Sequence, residues 1–257
     1  PGPNDPNAAG NQRKNLVQSL DASLKRLKLD YIDVYWVHVW DFSTPVEEVM
    51  RTLDDAVRAG KILYIGLSDA PAWVAARSNT MAELRGWTPY VAMQLEYSLV
   101  ERGIEREHFP MCRDLDMAIT AWSPLSSGIL SGKYTRGSDE MKRLDTMPFH
   151  EQNEHKLAVA RVVDQVADEL GVSSARVALA WVHERGTIPI IGARTLAQLQ
   201  DNLASLHLAL DMEHLAALEE VSAIKPGHPY DFLNKEMVRA LSSGGMADFI
   251  DNHHDCR

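Results

Sequence analysis

Tyr31-Ile-Asp-Val-Tyr-Trp-Val-His38 decides the fold. The segment is crowded with β-branched and aromatic residues and reads as a strand covered on both faces, the kind that belongs in a parallel sheet. A helix follows it. Thr44-Pro45-Val46-Glu47 offers an N-cap, a proline at the first helical position and a capping-box glutamate. Val46, Val49, Met50, Leu53 and Val57 then recur at helical spacing until Gly60 ends the run.

The same alternation continues along the chain. Further strands are predicted over 62–69, 91–97, 118–123 and 187–193, and helices over 13–27, 73–84, 104–115, 155–170, 174–185, 196–206 and 211–222. Thr195-Leu-Ala-Gln198 is a second capping box, placed directly after the last strand. Strands separated by crossover helices specify an α/β fold with a parallel sheet, and the expected architecture is a TIM (β/α)8 barrel with its working residues in loops at the carboxyl ends of the strands. Five strands fill only part of such a barrel. Residues 1–257 are therefore expected to form one incomplete barrel domain, with three earlier strands upstream of Pro1 and a turn-rich C-terminal tail over 223–257. An open sheet edge of that kind favours association, so a homo-oligomer is among the expectations.

Composition narrows the function. The chain has 257 residues, 45% hydrophobic, and a formal charge of −10. That balance argues against nucleic acid or an anionic membrane as partner, since both reward a basic face. No apolar run reaches the roughly 18 residues needed to span a bilayer and no leader pattern is visible, so a cytoplasmic protein is expected. Cys112 and Cys256 are too few for a disulfide framework and are expected as free thiols. His253-His-Asp-Cys256 has metal-capable groups but no framework around them, so no metal site is expected.

The residues that could carry chemistry fall at the strand ends. His38 closes the first strand, where an imidazole can hold or protonate a carbonyl oxygen. Its alternative is a histidine packed under the loop and satisfied by Asp41. Ser68, Asp69 and Gln94 could fix a flat amide-bearing ligand, or Ser68-Asp69 could simply form a turn before Pro71. Trp122 precedes Ser123-Pro-Leu125 and the loop Ser126-Ser-Gly-Ile-Leu130, and presents either a ring face beside the same opening or a core side chain. In Ile190-Ile-Gly-Ala-Arg-Thr-Leu-Ala-Gln198, Gly192 permits close approach, Arg194 adds charge, and Thr195 opens a helix whose amides favour an anion; an ordinary capped helix with a surface arginine is the competing reading.

Together these motifs resemble the aldo-keto reductase superfamily, in particular its branch related to potassium-channel β subunits. The matching segments are 31–38, Gly66-Leu-Ser-Asp69, Gln94-Leu-Glu-Tyr97, Ala121-Trp-Ser-Pro-Leu125, Gly128-Ile-Leu-Ser-Gly-Lys133 and Ile191-Gly-Ala-Arg194 with Gln198 and Asn202. The resemblance implies hydride transfer from NADPH, or NADH, to a small aldehyde or ketone. It implies that His38 is the histidine of a catalytic Asp-Tyr-Lys-His tetrad, and that Ser68, Asp69 and Gln94 hold the nicotinamide carboxamide. Trp122 would stack on the ring, and Ser123, Pro124, Leu125, Gly128 and Leu130 would line the pyrophosphate. Gly192 and Arg194 would meet the 2′-phosphate, Gln198 and Asn202 the adenine, and Trp40 the substrate. Asp69 stands where many members have Asn. The family's tetrad Asp, Tyr and Lys would precede Pro1, so the chain is expected to be truncated and impaired in catalysis, or else a silent nucleotide-binding or regulatory relative of the channel subunits.

Overall fold

The computed structural model describes residues 5–137 and 153–251. The His253-Asp255 cluster and Cys256 lie outside them. Five strands form one sheet in chain order: β1 (Ile32–Val37), β2 (Ile62–Ser68), β3 (Tyr90–Glu96), β4 (Ala118–Trp122) and β5 (Ile188–Pro189). Around them lie α1 (Arg13–Leu27), α2 (Val46–Arg58), α3 (Ala72–Arg85), α4 (His108–Asp114), α5 (Glu154–Leu170), α6 (Ser174–Glu184), α7 (Leu196–Ala204), α8 (Met212–Ser222), α9 (Tyr230–Leu233) and α10 (Glu236–Ser243). The α/β parallel class expected from the sequence is the class observed. The chain divides into two compact units, Pro1–Leu95 with Glu107–Ile119, and Glu96–Arg106 with Thr120–Arg257.

In the first unit, β1 pairs parallel with β2 from Ile32–Ile62 to Val37–Leu67, and β2 pairs parallel with β3 through Ser68–Gln94. One glycine in this sheet is required by its neighbour. Trp36 sits opposite Gly66, and a β-carbon at Gly66 would meet the Trp36 ring at 2.4 Å. Only a bare backbone leaves room for the indole there. Helix α2 buries Val46, Val49, Met50 and Leu53 of the stripe read from the sequence, while Val57 in its last turn is half-buried. Its start differs from expectation. Pro45 is the N-cap residue, no side chain caps it, and the Thr44 hydroxyl donates to Asp41 Oδ2 at 2.7 Å instead.

In the second unit, β4 pairs parallel with β5 at Thr120–Ile188 and Ala121–Pro189. The predicted strand over 187–193 contracts to two residues, because Pro189 has no N–H to give to a ladder, although Ile190 N–H still donates to Ala121 O at 2.8 Å. The helix predicted over 104–115 also differs, and its residues divide between the units, Gly103–Glu105 in the second and α4 in the first. A 3-10 turn (Gly103–Glu105) precedes α4, which begins late enough to put Pro110 in its first turn, where no intrahelical N–H is needed. Helices α5, α6 and α8 bury Val159, Val163, Val177, Trp181 and Leu218. A buried guanidinium ties this unit together. Arg102 donates to Glu105 Oε1 and Oε2 at 2.8 and 2.9 Å, to Glu219 Oε1 at 2.9 Å and to Ser222 Oγ at 2.8 Å, and lies 5.1 Å from the Trp181 ring centre. A buried charge is tolerable only when paired this fully.

Candidate functional site

In the first unit the structure brings the expected residues to one row of strand ends. Ser68 and Gln94 are direct register partners, and His38 and Ser68 each stand one residue beyond the Val37–Leu67 pair. Ser68 is buried and its hydroxyl donates to Asp69 Oδ2 at 3.4 Å; Asp69 is exposed, with φ at +44°, and its N–H donates to Gln94 O at 3.1 Å. The row holds a half-buried amide, a hydroxyl and a carboxylate, the donor and acceptor types that a carboxamide pairs with.

His38 is exposed, and Asp41 is not its partner. The Asp41 carboxylate accepts from Asn11 N–H at 2.6 Å, Ser43 N–H at 2.9 Å, Thr44 N–H at 2.8 Å and the Thr44 hydroxyl at 2.7 Å. Burial alone would raise its pKa, but these four hydrogen bonds outweigh that and hold it at about 2. Asn11 completes the clasp by accepting Asp41 N–H at 2.8 Å and donating to Val39 O at 2.9 Å. The loop after β1 is thus fixed from both sides. Phe42 sits inside it at φ +56°, a conformation that costs a bulky residue about 1–2 kcal/mol, and its ring is 72% exposed.

Trp40 is 5% exposed, so its ring is core and leaves little surface for a substrate wall. Asn11 and Phe42 were not singled out by sequence reasoning. The signal for the first half was present in Asp41-Phe-Ser-Thr44, where an aspartate followed by hydroxyl residues is the pattern of a side chain that caps its own loop.

In the second unit, Trp122 ends β4 half-buried, and its carbonyl accepts Tyr97 N–H at 3.2 Å. Beyond it the backbone is left-handed at Ser123 (φ +54°), Ser126 (+45°), Ser127 (+54°) and Gly128 (+94°). Left-handed serines cost energy and persist only where the surroundings determine them, a feature concentrated at functional sites. The loop satisfies itself. Ser126 N–H donates to Ser123 O at 2.8 Å, Ser127 N–H to Ser123 Oγ at 3.3 Å, and the N–H groups of Gly128 and Leu130 to Leu125 O at 2.9 and 3.2 Å. The residues expected at the pyrophosphate differ in exposure. Leu130 is 1% exposed with its amide already bonded, and Pro124 is buried, so neither presents a polar group; half-buried Ser123, Leu125 and Gly128 form the accessible side.

At the start of α7, Thr195 Oγ1 accepts Gln198 N–H at 3.2 Å, the first half of the predicted capping box. The second half is displaced by one residue, because Gln198 Oε1 accepts the N–H of Arg194 at 2.9 Å. Arg194 is exposed at this helix start, where first-turn amides lack intrahelical partners. Asn202 was expected near adenine, but it is 5% exposed and donates its amide to Gly192 O at 3.2 Å. Gly192 itself has open space where a β-carbon would stand and no left-handed φ, so no protein neighbour demands glycine there. Asp201 accepts from Arg176 Nη2 at 2.6 Å and from the Ser173 hydroxyl, which fixes α7 against the start of α6.

Among the described residues no group of three or more His, Cys, Asp or Glu is placed to hold a metal ion, and no helix is long and apolar enough to cross a membrane. Cys112 is a free, buried thiol whose pKa burial pushes up to about 12.

A parallel α/β sheet with its strands in chain order defines a class of fold, and sequence comparison states which family within it. The aldo/keto reductase family model matches residues 2–223, and the chain belongs to that family. It is 39% identical over 230 residues to norsolorinic acid reductase stcV of Emericella nidulans, covering 88% of this chain and 58% of that protein. It is 34% identical over 233 residues to the aryl-alcohol dehydrogenase (NADP(+)) of Phanerodontia chrysosporium, covering 86% and 60%. Against aldo-keto reductase ausK of Emericella nidulans the identity is 34% over 230 residues, covering 88% and 58%. The chain therefore spans roughly three fifths of the length of these relatives. The family fold is a (β/α)8 barrel, and the described residues supply five of its parallel strands.

Proposed function

We propose that this chain provides the nucleotide- and carbonyl-binding face of an NADP(H)-dependent oxidoreductase that reduces aldehydes or ketones to alcohols. The observation that carries this reading is the row at the ends of β1, β2 and β3, with exposed His38 next to the paired Ser68 and Gln94. NADPH, when bound, supplies the hydride. The residues present fit it in kind: Ser68, Asp69 and Gln94 have the donors and acceptors for its carboxamide, half-buried Trp122 has a ring face for its nicotinamide, and Ser123, Leu125 and Gly128 flank the phosphates. Arg194 with the start of α7 suits a 2′-phosphate, which is why NADPH is preferred to NADH here. Gln198 and Asn202 act in this reading through the Gly192–Arg194 backbone that they hold.

The His38 imidazole orients the carbonyl oxygen by donating a ring N–H, which polarises the bond toward attack. Its exposure, with Asp41 engaged elsewhere, leaves the ring available for that contact. Tyr97 is unsuited to give the proton. It is fully buried, its hydroxyl donates to Glu105 Oε1 at 2.6 Å, and burial together with the Glu105 carboxylate pushes its pKa up. The buried free thiol Cys112 supports a cytoplasmic setting, and the net charge of −10 suits a small-molecule substrate better than nucleic acid.

The test is a fluorescence titration of the purified chain with NADPH and NADH, followed by NADPH oxidation with a panel of aldehydes. Saturable binding favouring NADPH supports the reading. Absence of binding for both dinucleotides contradicts it.

A further inference from the structure

We infer that Tyr97 is a positioning residue that seats the Trp122 ring for the nicotinamide, an inference that rests on Trp122 being the platform proposed above. Tyr97 is the first residue beyond β3 and Trp122 the last of β4, and the Tyr97 N–H donates to Trp122 O at 3.2 Å. The bond holds the Trp122 peptide where the chain turns left-handed at Ser123. Residues beyond a strand end fray unless something else fixes them, and Tyr97 is fixed through its side chain. It is fully buried, its ring stacks on Trp181 with centroids 5.4 Å apart and planes 30° apart, and its hydroxyl donates to Glu105 Oε1 at 2.6 Å. Arg102 in turn grips both Glu105 oxygens, and Arg185 Nη2 lies 3.7 Å from Oε2.

The hydroxyl separates positioning from space filling. Phenylalanine would occupy the same ring space, and Glu105 would still be charge-paired with Arg102. A buried hydroxyl costs free energy to desolvate, which is offset here by a charge-assisted bond that fixes the tilt of the ring and the peptide at its base. That peptide carries the N–H that meets Trp122 O. The hydroxyl therefore acts on Trp122 through the backbone of a single residue. Arg102 also pairs with Glu219 on α8, a contact that stabilises the same unit but does not include Tyr97.

The experiment labels the tryptophans of the full chain at the indole nitrogen and measures the order of each indole N–H by NMR relaxation, with Trp122→Phe identifying its signal among the six. Tyr97→Phe, Tyr97→Leu and Glu219→Gln are compared with the wild type, each with a thermal melt and fluorescence titrations with NADPH and NADH. In Tyr97→Phe the Trp122 order parameter is expected to drop and both dinucleotides to bind about 5-fold more weakly, since the platform is common to them. Tyr97→Leu should enlarge both effects. Glu219→Gln should lower the melting temperature and leave the order of Trp122 and both affinities unchanged. An unaltered Trp122 order parameter in both Tyr97 variants, or an equal drop in Glu219→Gln, overturns the inference. Tyr97 variants that loosen Trp122 yet bind both dinucleotides as the wild type does also overturn it. A drop confined to the Tyr97 variants, in a chain that binds neither dinucleotide, supports the seating of Trp122 and contradicts the platform reading.

Discussion

Asn11 and Asp41 hold each other twice: the Asn11 N–H donates to Asp41 Oδ2 at 2.6 Å, and the Asp41 N–H donates to Asn11 Oδ1 at 2.8 Å. The pair joins the segment before α1 to the loop after β1. Asp41→Asn should cost about 1–3 kcal/mol at neutral pH, because its new NH2 group would face existing donors. The wild-type carboxyl has its pKa lowered from 3.8 to about 2 by folding, so its contribution is fully present above about pH 4 and is lost as pH falls through about 2. Urea unfolding from pH 7 to pH 2 should show the gap between wild type and variant closing on the acid side. A gap that stays constant across that range would remove the carboxylate from this role.

Phe42→Gly should melt at or slightly above the wild-type temperature. Relief of left-handed strain is worth about 1–2 kcal/mol, against roughly 0.4–1 kcal/mol for the added freedom of glycine in the unfolded chain. Phe42→Ala keeps the strain and should show no gain. Differential scanning calorimetry separates the two, and a Phe42→Gly variant no more stable than Phe42→Ala would mean that the left-handed backbone carries no strain.

Gly66→Ala should destabilise the first unit by about 1–3 kcal/mol, since the added methyl meets the Trp36 ring at 2.4 to 2.8 Å. Replacing Trp36 by Leu in the same chain should recover most of that loss, as neighbours in contact are not additive. Denaturant midpoints for the two single variants and the double variant check it. Simple addition of the two losses would place the clash elsewhere.

Arg194→Ala and Asn202→Ala should differ in kind. Removing the arginine should weaken NADPH by about 1.5–3 kcal/mol and NADH far less, as expected for a charge-assisted phosphate contact. Removing Asn202 takes away the donor to Gly192 O and should weaken both dinucleotides alike. Parallel titrations decide, and equal loss of both dinucleotides in Arg194→Ala would sink the phosphate assignment.

Much of this was legible in the residues. The α1 bounds, most of the apolar stripe of α2, the strand-end positions of His38, Ser68 and Trp122 and the place of Gln94 within β3 follow from periodicity and turn chemistry, which act locally. What was not legible depends on partners distant in sequence. Thr44 could cap α2 or bond Asp41, and the clasp with Asn11, thirty positions away, favours Asp41. Trp40 and Phe42 are both aromatic residues of one short loop, and only folding shows that the first is core and the second exposed. Asn202 matched a ligand-binding pattern, yet its amide is needed by Gly192 O, a demand invisible until α7 is placed.

The most direct measurement is a crystal structure of this chain grown with NADP+. Density is expected with the carboxamide against Ser68 and Gln94, the nicotinamide on the Trp122 ring and the 2′-phosphate at Arg194. A dinucleotide bound away from these strand ends, or bound there in the reverse direction with its adenine at Gln94, would contradict the proposed site.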